Sequence, residues 1–246
     1  MPEEWVDPDI LAMKLDDGEK SGLQIYRNYT RAFEKSAIDK FVQQLDLEEL
    51  DLGDLSTVIE KVASEDARYV PVIVCAFADD VLKGAFKAAL PDGIPGGKAA
   101  MLSGYGPLSD FAKRIQLAYA FDVLSADLMT NLDHVRSVRN KLSHSWDIND
   151  VKDFFEKGRL ADMYPVEKLL LDHEQFPDVA GPFEPIASFR IRMAWVLARL
   201  VYEAAAYGRA KALRLKPSEA LYRRPPSKWL RLVSKIALDA TLRLVA

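Results

Sequence analysis

SADLMTNLDHVRSVRNKLSH, residues 125–144, is the stretch on which the fold reading turns. Leu128, Leu132, Val135, Val138 and Leu142 recur at helical spacing, so they form one apolar face that asks to be buried. Ser125 stands where an N-cap belongs. Asp133, Arg136, Asn140 and His144 fall on a different face. Asn140 and His144 stack four residues apart, and Arg136 continues that line one turn earlier. Arg139 precedes His144 by five residues, so it points partly away unless its side chain reaches round or a second subunit supplies another copy. Arginine is a permanent cation shaped to clamp phosphate, and histidine titrates near neutrality. His134 is displaced around the helix from this line and reads as a surface or interface residue.

Working outward, helical spacing dominates and no alternating strand run stands out. Leu23 to Leu45 carries Tyr26, Tyr29, Phe33, Ile38, Phe41 and Val42, which predicts a long helix with one register irregularity. Asp46 to Leu55 is an acidic link, and Ser56 is the expected N-cap of the next helix. Ala67 to Leu90 predicts a second long helix, apolar over its first half and therefore central. The breakers between Pro91 and Gly97 form a loop without the lysine spacing or preceding strand of a phosphate-binding loop. A turn from Gly104 to Pro107 precedes a helix over Leu108 to Leu124, with Phe111, Ile115, Ala118 and Tyr119 on one side. Asp147 or Asp150 caps a short helix through Phe154 and Phe155, and Tyr164 to Phe183 is irregular. Pro185 to Leu213 predicts another long helix, and Ser227 caps a last one striped with Trp229, Leu232, Val233, Ile236 and Ala240. The expected fold is all-α, with roughly seven to nine helices.

With 246 residues, 49% of them hydrophobic, the chain can bury a substantial core. The start is acidic and lacks the pattern of a signal peptide, and no apolar run is long enough to span a bilayer. Cys75 is the single cysteine, so an internal disulfide is excluded; a cytoplasmic location is expected, with Cys75 as a small core residue. No histidine pair has metal-ligand spacing, and neither metal nor cofactor is expected. The net charge of −4 argues against unaided, non-specific binding to nucleic acid. It hides an asymmetry: residues 1–66 hold 17 acidic and 7 basic groups, and residues 207–246 hold 10 basic and 2 acidic. The basic tail is either a solvated helix face or a surface for RNA, an anionic partner, or the acidic head of the same or a neighbouring chain.

The run from Pro107 through Arg114-Ile115 and Ala118-Tyr119-Ala120, then Ser125, then Val138-Arg139-Asn140 and His144, resembles the mannitol operon repressor family. Asp79-Asp80-Val81-Leu82-Lys83 resembles that family's acidic-Leu-Lys segment, and the similarity covers roughly residues 67 to 146. The same ending is similar to the wider HEPN superfamily, whose signature is an arginine, often followed by a polar residue, then a histidine four to six residues on. Arg139, Asn140 and His144 match it one by one. The resemblance implies a helical bundle; the chain departs from the family in its acidic N-terminal and basic C-terminal regions, which are expected to add helices to that bundle. Residues 1–66 are then an acidic extension packed on the core, 67–213 the core, and 214–246 a basic C-terminal segment. It also implies a homodimer and an RNA or regulatory protein partner. No membrane association and no direct sequence-specific reading of DNA are expected.

Two functional readings follow from the resemblance. In the first the chain acts in transcription regulation, like the mannitol repressor branch, and catalyses nothing. In the second it is a metal-independent endoribonuclease, a toxin or defence effector. There His144 exchanges a proton with the ribose 2′-hydroxyl or the leaving oxygen, and Arg139 neutralises charge on the scissile phosphate. Asn140, Arg136 and Arg114 are the candidate substrate-binding residues. Arg114, between Phe111 and Ile115, is expected to form a partly buried ion pair with Asp79 or Asp80, with a phosphate contact as the alternative. Trp229 with Lys228 and Arg231 is either core plus solvated cations or an RNA-stacking patch.

Overall fold

The computed structural model describes residues 5–46, 52–144, 184–212 and 228–245, and these are helical, with no strand among them. The helices are α1 (Pro8–Leu11), α2 (Asp17–Asp46), α3 (Gly53–Ser64), α4 (Val70–Ala89), α5 (Gly97–Leu102), α6 (Phe111–Ala120), α7 (Ala126–His144), α8 (Pro185–Ala212) and α9 (Lys228–Val245). The chain divides into two compact units, Met1–Gln44 and Leu45–Ala246. The division falls within the acidic stretch expected to end at Asp66. α3 belongs to the larger unit because it buries Leu55, Val58, Ile59 and Val62 and packs on α4, α8 and α9. The helices expected over 147–155, the irregular stretch 164–183 and Ser227 lie outside the described residues.

In the smaller unit, α2 starts with a reciprocal cap. Glu19 N–H donates to Asp16 Oδ1 at 2.8 Å, and Asp16 N–H donates to Glu19 Oε2 at 2.9 Å. The α1 segment is tied down by two side chains of α2. Gln24, fully buried, accepts the Asp7 N–H, and Arg27 donates to both carboxylate oxygens of Asp9 and to Asp7. Val6 and Ile10 are buried beside them.

In the larger unit α8 is the axis. Every residue from Ile191 to Leu200 is buried, and α8 packs on α3, α4, α7 and α9. A helix wrapped this completely needs apolar residues all round, and Phe189, Trp195, Leu197 and Tyr202 supply them. α4 buries Val74, Cys75, Ala78, Leu82 and Phe86, and packs on α3, α6, α7 and α8. The Arg190 guanidinium finishes α3. It donates to the carbonyls of Val62 and Ala63 at 2.6 and 2.9 Å and of Glu65 at 2.6 Å, which would otherwise be open at the helix end.

Three local expectations are corrected. α3 begins one turn before Ser56, whose N–H already donates to the Leu52 carbonyl, so Ser56 is not its cap. α6 begins at Phe111, because Asp110 is extended and its carboxylate accepts the Lys113 N–H at 3.0 Å. Phe111, Ile115 and Ala118 are buried, whereas Tyr119 turns to solvent. The α5–α6 connection is set by two glycines. Gly104 adopts φ +59°, and Gly106 passes so close to the carbonyls of Ala100 and Met101 that a side chain has no room.

Candidate functional site

The buried face of α7 is the one its spacing predicts: Leu128, Leu132, Val135, Val138 and Leu142 are all in the core. α7 packs on α4, α6 and α8. Its N-terminal end is held by α8. Glu203 accepts both the Ser125 N–H, at 2.8 Å, and the Ser125 hydroxyl, at 3.0 Å. Arg199 donates to the Ser125 hydroxyl oxygen and to Glu203, and lies 3.8 Å from Asp127. A carboxylate at a helix N-terminus is favoured by the helix dipole. Ser125 is thus the capping position, with Glu203 receiving its donors. The network was not foreseen in the sequence, because its members are over seventy residues apart. The available signal was a charged pair, Arg199 and Glu203, at i and i+4 inside an otherwise apolar helix.

At the other end of α7 the arginines have different partners. Arg136 donates through Nε and Nη2 to Asp133, at 2.9 and 2.7 Å. Arg139, half-buried, donates through Nη2 at 2.8 Å and Nε at 3.2 Å to the amide oxygen of Asn140. The long side chain therefore does reach round to the Asn140 side of the helix. Among the described residues no carboxylate pairs with Arg139. A guanidinium held by a neutral amide keeps its full charge and a fixed direction. His144 is the last residue of α7, and its side chain lies outside the described set.

Arg114 is committed to the fold. It is 3% exposed, pairs with Asp79 on α4, and donates to the carbonyls of Leu102 at 3.0 Å and Ser109 at 3.2 Å. Its ion pair is the one expected from sequence, and these contacts join α4, α5 and α6 rather than facing a ligand. Cys75 is buried in α4, which packs on α7. Burial pushes its thiol up to about 12 despite the opposing pull of Arg139 and Arg136, with Asp79 adding to the rise. At neutral pH it is a protonated core residue and no nucleophile.

Trp229 is buried in the α9 interface, while Lys228 and Arg231 are exposed, so the three do not form a stacking patch. A shallow groove of about 470 Å³ lies between α3, α4, α8 and α9, lined by residues that include Asp54, Phe77, Asp80, Ala85 and Val201; none of the α7 motif residues lines it. Among the described residues no cluster of three histidine, cysteine or acidic side chains could hold a metal ion. No described helix is long and apolar enough to cross a membrane. No family model, curated protein or solved structure matches the chain.

Proposed function

We propose that the chain is a cytoplasmic regulatory binding protein, similar in kind to the mannitol operon repressor family. It acts through an RNA or protein partner and does not read DNA directly. The contact is the C-terminal end of α7, where an anionic group, an RNA phosphate or an acidic side chain, docks on Arg139 with Asn140 beside it. The observation that carries this reading is the contrast among three arginines. Arg114 and Arg136 each meet an aspartate, whereas Arg139 is oriented by an amide and retains its charge. A guanidinium oriented by an amide at a helix end, with no carboxylate on it among the described residues, is suited to recognising phosphate or carboxylate.

A second reading, metal-independent RNA cleavage, draws on the same pairing. The HEPN signature often has a polar residue directly after its arginine, and here that residue fixes the arginine's direction. In this reading Arg139 stabilises charge on the phosphate and His144 moves the proton, with a second copy supplying the other acid or base.

One experiment separates the two. Labelled, mixed-sequence single-stranded RNA is titrated with the full chain in chelator, with anisotropy reporting binding and a denaturing gel reporting integrity. Binding that leaves the RNA intact and is lost in Arg139→Ala supports the first reading. Cleavage that disappears in both Arg139→Ala and His144→Ala replaces it with the second. RNA binding indifferent to Arg139 would sink both.

A further inference from the structure

The exposed face of α2 carries more apolar surface than a solvated helix needs. Ile25, Tyr26, Tyr29 and Phe33 are 61%, 68%, 66% and 68% exposed. Tyr26, Tyr29 and Phe33 follow the three-then-four spacing of a helix-pairing seam, with Tyr26 and Phe33 at a positions and Tyr29 at d. In that register every a, d, e and g position from residue 22 to residue 37 is uncharged. The four charges of the stretch, Arg27, Arg31, Glu34 and Lys35, all fall at b, c or f. Over these residues the helix is sorted into a charged back and an uncharged front; Glu19 at an a position and Asp39 and Lys40 at g and a bound the seam on either side. Gln24 and Arg27, on the back, hold α1, while the front carries the exposed aromatic rings.

We propose that this face is the seam of a homodimer, α2 of one copy against α2 of another. The uncharged flanks offer nothing to a strongly charged partner, whereas a second copy presents the same apolar front. An isologous contact requires only that one patch complement itself. The area is adequate. With about two-thirds of each side chain exposed, and aromatic side chains of about 200 Å² each, the four residues present on the order of 500 Å² per copy. Covered completely, two copies bury about 1,000 Å², the threshold for a specific interface. The rings of Tyr29 and Phe33 already lean on each other, with centroids 5.9 Å apart and planes 35° apart, so part of the seam is ordered before association. This dimer is independent of the α7 site and does not rest on its function.

Sedimentation velocity on the full chain, from micromolar to hundred-micromolar concentration and at low and high salt, tests the proposal. A species of twice the 27.6 kDa chain mass should form with rising concentration and persist in high salt, since the seam is apolar. The double variant Tyr29→Lys, Phe33→Lys should weaken the dimer at least tenfold with helix content unchanged by circular dichroism. Tyr105→Lys, which adds charge at another exposed aromatic, should leave it intact. If the double variant loses helix, Tyr26→Gln provides the same readout with a milder change. A wild type that stays monomeric overturns the proposal. So does a dimer that disperses in high salt, or one that the folded seam variants leave unchanged.

Discussion

Asp79 of α4 and Arg114 of α6 form an ion pair whose arginine is buried and whose aspartate is about one-third exposed. The asymmetry decides which loss matters more. Removing the aspartate strands a buried cation whose remaining partners among the described residues are the Leu102 and Ser109 carbonyls. Asp79→Ala should therefore cost roughly 2–4 kcal/mol, a little under the scale of about 3–5 kcal/mol for breaking a fully buried pair because Asp79 is partly exposed. Arg114→Met fills the space without a charge and should cost less. Urea unfolding of the two variants, compared at equal slope, gives the order; a larger loss for Arg114→Met would contradict this account.

Backbone geometry sets two changes of opposite sign. A Cβ at Gly106 would sit 2.5 Å from the Met101 carbonyl oxygen and closer still to that of Ala100. Gly106→Ala must push the α5–α6 turn apart, and should destabilise by about 2 kcal/mol or more. Asp122, at the end of α6, holds φ +58° while Val123 N–H closes back on Ala118. That is the position a glycine usually takes, so Asp122→Gly should stabilise by about 0.5–1 kcal/mol. Thermal melts with Tm moving down and up respectively check the pair.

Stability should fall at both ends of the pH range. The Cys75 thiol, at 9.0 in its ordinary state and about 12 when folded, adds stability below pH 9 that is lost as pH rises through 12. In the folded chain it should resist a thiol reagent at pH 8 until the protein unfolds. At the acid end, the Arg68 guanidinium holds Asp66 down to about 2, below its ordinary 3.8, and the Lys113 backbone N–H lowers Asp110. These contributions are present above pH 3.8 and lost as pH falls through the folded values. Asp66→Asn should flatten the dependence of unfolding free energy on pH between 4 and 2; an unchanged slope would remove Asp66 from the account.

Arginine partners on α7 predict an unequal response to alanine. Arg139→Ala removes a charge that no aspartate among the described residues offsets, whereas Arg136→Ala removes one already paired with Asp133. In the RNA titration Arg139→Ala should weaken binding about tenfold and Arg136→Ala by less. Arg139→Lys keeps the charge but not the fork, and should recover only part of the loss. Equal losses at the two positions would mean that net charge alone is being read.

The core face of α7 was legible because five apolar residues at helical spacing leave one burial solution. The Arg114 ion pair was legible because an arginine between Phe111 and Ile115 must bring a partner inside. Other features depend on what the neighbours do. The aromatic spacing of α2 is plain in the sequence, but its exposure is set by which helices pack against it. Tyr119 shares a side with Ile115 by spacing, yet Ile115 is buried and Tyr119 is exposed. Helix ends escaped for the same reason. Ser56 has the right chemistry for a cap, but the buried Leu55 draws the helix start a turn earlier. At the α7 site the residue types pointed to anion chemistry, whereas Arg139's partner required a side-chain conformation that spacing does not encode.

The Arg190 contact with the end of α3 spans 128 residues to Val62. During synthesis α3 emerges, and must wait, with its last carbonyls facing water, until more than half the chain has followed. Its final turn is thus completed by tertiary structure, and a contact this distant is slow to form. Any fragment ending before residue 190 leaves that helix unfinished, which makes the fraying of α3 a reporter of whether α8 has docked.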